Sequence, residues 1–379
     1  MKKLIIITVL FLFLCNSKSL VYAASLLSVS PNYPQLVDES GAWVRIKGVN
    51  YNLIENINKN PPNSVHFDKI QSWGFNFVRF PINWYFLEPS PGAINWSYID
   101  EIETAVQMAN DRGLYILIDM HQWNTAQCFV SGSGFPTWFV NAVAGTCSNQ
   151  SAFWTNFWQN PILNVAPYQG MTAGQIFAEA WRNVVWRLRN YNNVVGWDIL
   201  NEPYRGSIDE IIFNNQILPQ FYKSVGDRIR WSDWRDGDQK HHVLFIEGED
   251  GDIKSSMSKP NLSNFVLSPH LYTDSQYWTN CQYLSSVAHR GIDKANSWRI
   301  PTVFSEFGAN SGPDGGSGPQ FANYVSRIIG VNGQSWSWWD FGPVDGYDNY
   351  ALVDTTLANK PAVYPLIDNL LIFSGSECP

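Results

Sequence analysis

"VVGWDILNEPY" spans residues 194–204. Val194, Val195, Trp197, Ile199 and Leu200 make the stretch apolar enough for a buried strand. It then ends in Asn201 and Glu202, and Pro203 stops it. Burying an amide and a carboxylate costs free energy unless both are hydrogen-bonded or reach water. A core strand that finishes this way needs somewhere to put them. A closed barrel of parallel strands supplies such a place, because its strand ends open on one shared face.

Seven further apolar, β-branched-rich runs support that reading. They are "WVRIKGVNY" (43–51), "FNFVRFPI" (75–82), "LYILIDMH" (114–121), "HHVLFIEG" (241–248), "NFVLSPHLY" (264–272), "PTVFSEFG" (301–308) and "QSWSWWDF" (334–341). Helix-like stretches separate them, such as "SYIDEIETAVQMANDRG", "AGQIFAEAWRNVVWRLRN" and "FNNQILPQFYKSVGDRIRW". Strands alternating with helices require parallel pairing. Eight such units predict an α/β fold, a (β/α)₈ TIM barrel, over residues 25–379 as one domain. The fifth-to-sixth connection is the weakest as a helix. The loop 122–172, rich in Gly, Ser, Trp and Phe, is expected to wall one side of a cleft, with the other loops short.

Most of these runs carry a polar residue near the C-terminal end. Arg79 follows "FNFV", His121 ends the third run, and Asn201 and Glu202 end the fourth. His270 and Tyr272 end the sixth, Glu306 lies late in the seventh, and Trp339 late in the eighth. Any one of them is explained by a satisfied buried polar group. The whole set, delivered to one barrel face, predicts a site.

The composition narrows what that site can hold. Lys2 and Lys3, the apolar "LIIITVLFLFL" and the small-residue tail "SLVYAAS" read as a secretory signal peptide over residues 1–24. The apolar run is short for a bilayer span, so no membrane anchor is expected after cleavage. The formal charge of -8 then falls to -11 with the loss of Lys2, Lys3 and Lys18. An acidic chain is poorly suited to nucleic acid or anionic lipid and suits a neutral substrate. Cys128, Cys147, Cys281 and Cys378 remain, an even number that favours disulfides in a secreted chain. Cys128–Cys147 and Cys281–Cys378 is one pairing of three. No C-x-x-C or H-E-x-x-H spacing occurs, so no metal or cofactor is expected. There are 18 Trp; most belong in a core, and the excess suits stacking on sugar faces.

Two glutamates at distant strand ends match the needs of glycoside hydrolysis. One protonates the leaving oxygen, and the other attacks the anomeric carbon or activates water. Other carboxylates are weighed and set aside: Asp198 as a partner inside the barrel, Asp119 as an orienting group, and the acid-rich "IEGEDGD" (246–252) as an exposed turn. No G-x-S-x-G elbow points to a serine esterase.

Six motifs in order, "RFPINW" (79–84), "DMHQW" (119–123), "ILNEPY" (199–204), "SPHLY" (268–272), "FSEFG" (304–308) and "SWSWWDF" (335–341), resemble glycoside hydrolase family 5 over nearly the whole chain. The resemblance implies Glu202 as acid/base and Glu306 as nucleophile. It implies Arg79, His121, Asn201, His270, Tyr272 and Trp339 as the supporting, substrate-binding set, with Trp336 and Trp338 competing for the last role. With the signal-peptide reading, it points to a secreted endo-acting enzyme, expected to be monomeric, on a β-linked polysaccharide or oligosaccharide, foremost β-1,4-glucan. The alternatives are β-mannan, β-1,3-glucan, xyloglucan or the glycan of a glycolipid, since outer subsites lie in loops that the motifs do not report. A carbohydrate-binding barrel without catalysis is the rival from another class, and the presence of both glutamates argues against it.

Overall fold

The computed structural model describes residues 24–52, 61–129, 132–234, 241–310, 317–342 and 349–378. The expected signal peptide falls almost wholly outside these, as does most of the Gly-rich stretch 312–319.

The strands are β1 (Lys47–Asn50), β2 (Phe77–Asn83), β3 (Tyr115–His121), β4 (Val194–Asp198), β5 (Val243–Ile246), β6 (Phe265–Leu267), β7 (His270–Leu271), β8 (Val303–Phe307) and β9 (Ser335–Trp338). They form one parallel sheet in the order β6-β5-β4-β3-β2-β1-β9-β8-β7. Only Ser268 and Pro269 separate β6 from β7, so the two are halves of the sixth barrel position. Leu267 also bridges Thr302, just ahead of β8, and the sheet closes on itself. All eight apolar runs are therefore barrel strands.

Helices cover the outside: α1 (Ser64–Ser72), α2 (Trp96–Asn110), α3 (Ala173–Leu188), α4 (Leu218–Ser232), α5 (Cys281–Trp298) and α6 (Gly318–Val331). Their starts follow local chemistry. Asn95 caps α2 through the Tyr98 amide, and Thr172 with Gln175 forms a capping box on α3, each satisfying amides that have no partner within the helix. The fifth-to-sixth connection has no α-helix. It holds a short 3₁₀ turn at Glu249–Gly251, because "GEDGDIKSSMSKPNLS" lacks a helical apolar repeat. Ile253 and Met257 fill the gap instead, and both are buried. The expectation of short loops elsewhere fails after β5, where 247–264 carries only that short turn, and after β9, where among the described residues a helix resumes only at Val363.

Side chains alternate across each strand. In β2, Val78 and Phe80 face the helices, while Phe77 and Arg79 point inward. Low in the barrel the inward layer is apolar: Phe77, Leu117, Val195, Phe245, Val266 and Val303 form one cluster. Leu27 and Leu36, flanking and within the small hairpin Ser28–Val29/Leu36–Val37, join that cluster and plug the N-terminal mouth. One layer higher the inward residues turn polar, with Asn50, Arg79, Asp119, Asp198, Glu247, Ser305 and Ser337 all fully buried. Strand β4 also needs its glycine. A Cβ on Gly196 would sit 2.1 Å from the Val243 carbonyl oxygen.

The long segment after β3 folds into two short helices, Thr137–Ala144 and Gln150–Trp158. Phe135, Phe139, Phe153, Trp154, Phe157 and Trp158 pack there into an aromatic cluster. The bond Cys128–Cys147 staples it, and Cys281–Cys378 ties the C-terminal segment to the start of α5. Much of the tryptophan excess is thus structural: Trp84, Trp154, Trp181, Trp197, Trp336 and Trp338 are all buried.

Candidate active site

The C-terminal ends of the strands open on a cavity of about 590 Å³ lined by His121, Trp123, Ser133, Asn201, Glu202, Tyr272, Glu306, Trp339 and Tyr350. Six of the eight residues expected from the sequence line it directly. The other two, Arg79 and His270, lie immediately beneath and hold the carboxylates in place.

Glu306, on β8, is 4% exposed. Its Oε1 accepts a short hydrogen bond from Arg79 Nη1, and its Oε2 accepts from the Tyr272 hydroxyl at 2.9 Å. His270 Nδ1 stands 3.6 Å from the same Oε2. Burial opposes ionisation of Glu306. His270, Arg79 and His121 outweigh it, with the Tyr272 hydrogen bond, and hold the carboxyl below its ordinary 4.5. Burial, together with Glu306 and Glu202, pushes the Tyr272 phenol well above its usual range, so it stays a donor.

Glu202 follows β4 in a left-handed backbone conformation, φ 42°, which costs a non-glycine residue about 1–2 kcal/mol. Hydrogen bonds clamp it there. Its amide donates to Glu247 Oε2 at 2.7 Å, and its carbonyl accepts from Gln122 Nε2 at 2.9 Å. Its side-chain Oε1 accepts from His270 Nδ1 at 2.7 Å. Carboxylate oxygens of Glu202 and Glu306 lie within 4.8 Å of each other.

Arg79 is the hub. Its guanidinium donates to Asp198 Oδ2 at 3.0 Å, Asn50 Oδ1 at 3.1 Å, Asn201 Oδ1 at 2.9 Å and Glu247 Oε1 at 3.2 Å, besides Glu306. Asp119 Oδ2 is 3.0 Å from Nη2. Burial works against its charge, but Asp119, Glu306, Asp198 and Glu247 fix the proton still more firmly than usual. Asp119, Asp198 and Glu247 bring oxygens within 4.8 Å of one another, a spacing suited to a cation; Arg79 is the cation already seated among them.

The acids outnumber the bases here, so protons stay behind. Burial and Glu247 push Asp198 well above the carboxylate range. Burial raises Glu247 as well, and Asp119 Oδ1 and Asp198 Oδ1 both have no hydrogen-bond partner among the described residues. His270 is cationic. Burial disfavours its charge, but Glu247 and Glu306, with hydrogen bonds to Glu202 and Glu247, raise it well above 6.5.

His121 donates from Nδ1 to Asp119 Oδ2 at 2.7 Å and stacks on Trp339, with ring centroids 5.3 Å apart. Asn201 is held at both ends of its amide, by Arg79 and by the Gln122 carbonyl at 2.9 Å. Of the three competing tryptophans, Trp336 and Trp338 face the helices and only Trp339 reaches the cavity.

Two sequence expectations need correction. "IEGEDGD" is not an exposed turn throughout: Glu247 and Glu249 are buried, because Glu247 ends an inward-facing strand position. Trp123, Ser133 and Tyr350 line the cavity from loops and were missed, as were Asn50 and Gln122 beneath it.

A family model described as Cellulase (glycosyl hydrolase family 5) matches residues 37–345. The chain is 25% identical over 268 residues to an endoglycoceramidase of Cyanea nozakii, covering 60% of this chain and 52% of the relative. It is 27% identical over 197 residues to endoglycoceramidase I of Rhodococcus hoagii (strain 103S), covering 49% and 39%. It thus spans about half or less of the length of these relatives. A solved structure of an endogalactoceramidase superposes with a TM-score of 0.73 at 20% identity, covering 91% of this chain and 84% of the other.

Proposed function

The chain belongs to glycosyl hydrolase family 5, and on that premise we propose that it is a retaining β-glycosidase with Glu306 as nucleophile and Glu202 as acid/base. The observation that carries this is the closeness of the two carboxylates, within 4.8 Å. Retention uses carboxyl groups about 5–5.5 Å apart, and inversion needs about 6.5–9.5 Å to admit a water.

In the first step Glu306 Oε attacks the anomeric carbon and forms a glycosyl ester. Glu202 gives its proton to the glycosidic oxygen, and the aglycone leaves as an alcohol. In the second, Glu202 takes a proton from water as the water oxygen attacks the same carbon, releasing the sugar and the free Glu306 carboxylate. Arg79, His270 and Tyr272 keep Glu306 ionised and aimed. Asn201 stands beside the acid/base, where a sugar hydroxyl would meet it, and Trp339 floors the ring.

The substrate we propose is a glycolipid, cleaved between its glycan and its lipid. Support comes from the endoglycoceramidase relatives and from the cavity itself. Its described lining carries Trp123, Tyr272, Trp339 and Tyr350, and its volume suits a bounded ligand better than a long polysaccharide. The second reading is β-1,4-glucan, favoured by the cellulase description of the matching family model. The signal-peptide-like N-terminus and two disulfides support action outside the cytoplasm.

Lactosylceramide, GM3-type ganglioside, carboxymethyl cellulose and mannan, assayed for released oligosaccharide, separate the substrates. Glu306→Ala should lose turnover on all of them. Glu202→Ala should regain it with azide on an activated aryl glycoside, yielding the β-glycosyl azide. Retained hydrolysis in Glu306→Ala would remove that residue from its role.

A further inference from the structure

Glu247 is absent from the motif set, yet it touches Glu202, His270 and Arg79 at once. It directly follows β5 and is fully buried, one inward position above Phe245. Its Oε2 accepts the main-chain amide of Glu202 at 2.7 Å. Its Oε1 faces His270 Nε2 at 3.2 Å and Arg79 Nη2 at 3.2 Å. The Tyr222 hydroxyl fixes its backbone, donating to its carbonyl at 2.9 Å and accepting from its amide at 3.1 Å.

Each contact leads to one of the two reacting carboxylates. The first holds Glu202 in its left-handed conformation. The second sits on the ring whose other nitrogen contacts Glu202 Oε1 at 2.7 Å. The third sits on the guanidinium that grips Glu306. A purely structural acid would need only to balance Arg79, and Asp119 and Glu306 already pair with that group.

We propose that Glu247 is a positioning residue of the reaction, whose buried carboxylate fixes the acid/base through its own amide and through His270. This rests on the assignment of Glu202 and Glu306 above. Glu247 acts by holding the imidazolium between two acids, so that Nδ1–H points at Glu202 Oε1 and that carboxyl faces the glycosidic oxygen. The groups facing His270 are Glu202 beyond β4, Glu247 beyond β5, Ser305 and Glu306 on β8 and Tyr272 beyond its own strand. Arg79 and Asp198 lie behind Glu247.

The reaction itself separates positioning from mere support. A 2,4-dinitrophenyl leaving group departs without protonation, whereas an alkyl or phenyl one requires the acid. The variants are Glu247→Gln, which keeps shape and an acceptor for the Glu202 amide, and Glu247→Ala. They are assayed with dinitrophenyl and phenyl β-lactosides or β-cellobiosides, whichever pair the wild-type protein cleaves. The expected result is a kcat/KM loss on the phenyl glycoside at least tenfold larger than on the dinitrophenyl one. For Glu247→Ala that loss reaches about 10²-fold, the scale of a misplaced catalytic group. In Glu247→Gln, ¹⁵N–¹H imidazole spectra should show His270 titrating at lower pH than in the wild type, because its strongest favourable charge is gone. Equal losses on the two glycosides, no loss, or an unmoved His270 titration overturns the proposal. Should Glu247→Ala not fold, the Gln variant decides alone. Glu202→Gln and Glu306→Gln run alongside; normal turnover in these would instead overturn the assignment of the reaction.

Discussion

Replacing Tyr272 by Phe removes one oxygen atom and one hydrogen bond, the 2.9 Å donation to Glu306 Oε2. A hydrogen bond to a charged group contributes about 1.5–3 kcal/mol. The lower end applies, because Glu306 keeps Arg79 on its other oxygen and Tyr272 is 39% exposed. About 1.5 kcal/mol corresponds to roughly tenfold in kcat/KM and about one unit in the pKa of the carboxyl. The direction follows from charge. The phenol favours the ionised form of Glu306, whose carboxyl sits below 4.5, so its loss raises the acid limb of the pH profile. The experiment measures kcat/KM on an activated aryl β-glycoside from pH 3 to pH 8, with thermal melts alongside. The phenyl ring remains, so the melting temperature should hold. An acid limb that stays in place, or one that moves down, would refute the account of how Glu306 is kept ionised.

Two further outcomes concern the fold. Cys281 and Cys378 are 97 residues apart and Cys128 and Cys147 are 19 apart. Loop-closure entropy then assigns about 4–5 and about 3 kcal/mol to the two bonds. Cys281→Ser/Cys378→Ser should therefore melt several degrees below Cys128→Ser/Cys147→Ser, and the reverse order by calorimetry would contradict it. The buried charges set a pH dependence. Folded His270 holds a proton that the unfolded chain gives up above about 6.5, and Asp198 holds one that it gives up above about 3.8. The folded state binds more protons in both cases, so stability falls as pH rises. Glu306 acts oppositely, its stabilisation being lost only as pH falls below 4.5. The melting temperature should decline between pH 6.5 and pH 8, below the range where Lys47, lowered to about 8 by burial, acts oppositely; a flat or rising trend there would count against a charged His270.

The barrel was legible because its strands are buried on both faces and so read as apolar runs with polar ends. The same signal found Arg79, His121, Glu202, His270, Tyr272 and Glu306, since each lies on or just beyond a barrel strand above its apolar layer. Glu247 carries that signal too, at the end of "HHVLFI". The acids behind it in "GEDGD" made it look like part of a solvated turn. Trp123, Ser133 and Tyr350 carry no comparable mark. They reach the cavity from loops, where neither helical nor strand periodicity constrains the chain, and their positions depend on contacts distant in sequence. The missing fifth helix was foreshadowed by the absence of an apolar repeat, but what replaced it, Ile253 and Met257 in the core, was not. The disulfide pairing was one of three on sequence grounds, and only the fold brings the partners together.

The sixth barrel position is interrupted between β6 and β7, and the ring is completed there by Leu267 against Thr302 and by β7 beside β8. In that second pairing His270 stands directly opposite Glu306. This joint of the circle is thus also the place where the two glutamates share a histidine. Parting it would separate His270 from Glu306 in the same motion, so a molecule with a sprung wall and working chemistry should have no lasting existence. On the roles proposed above, activity reports whether that joint is closed.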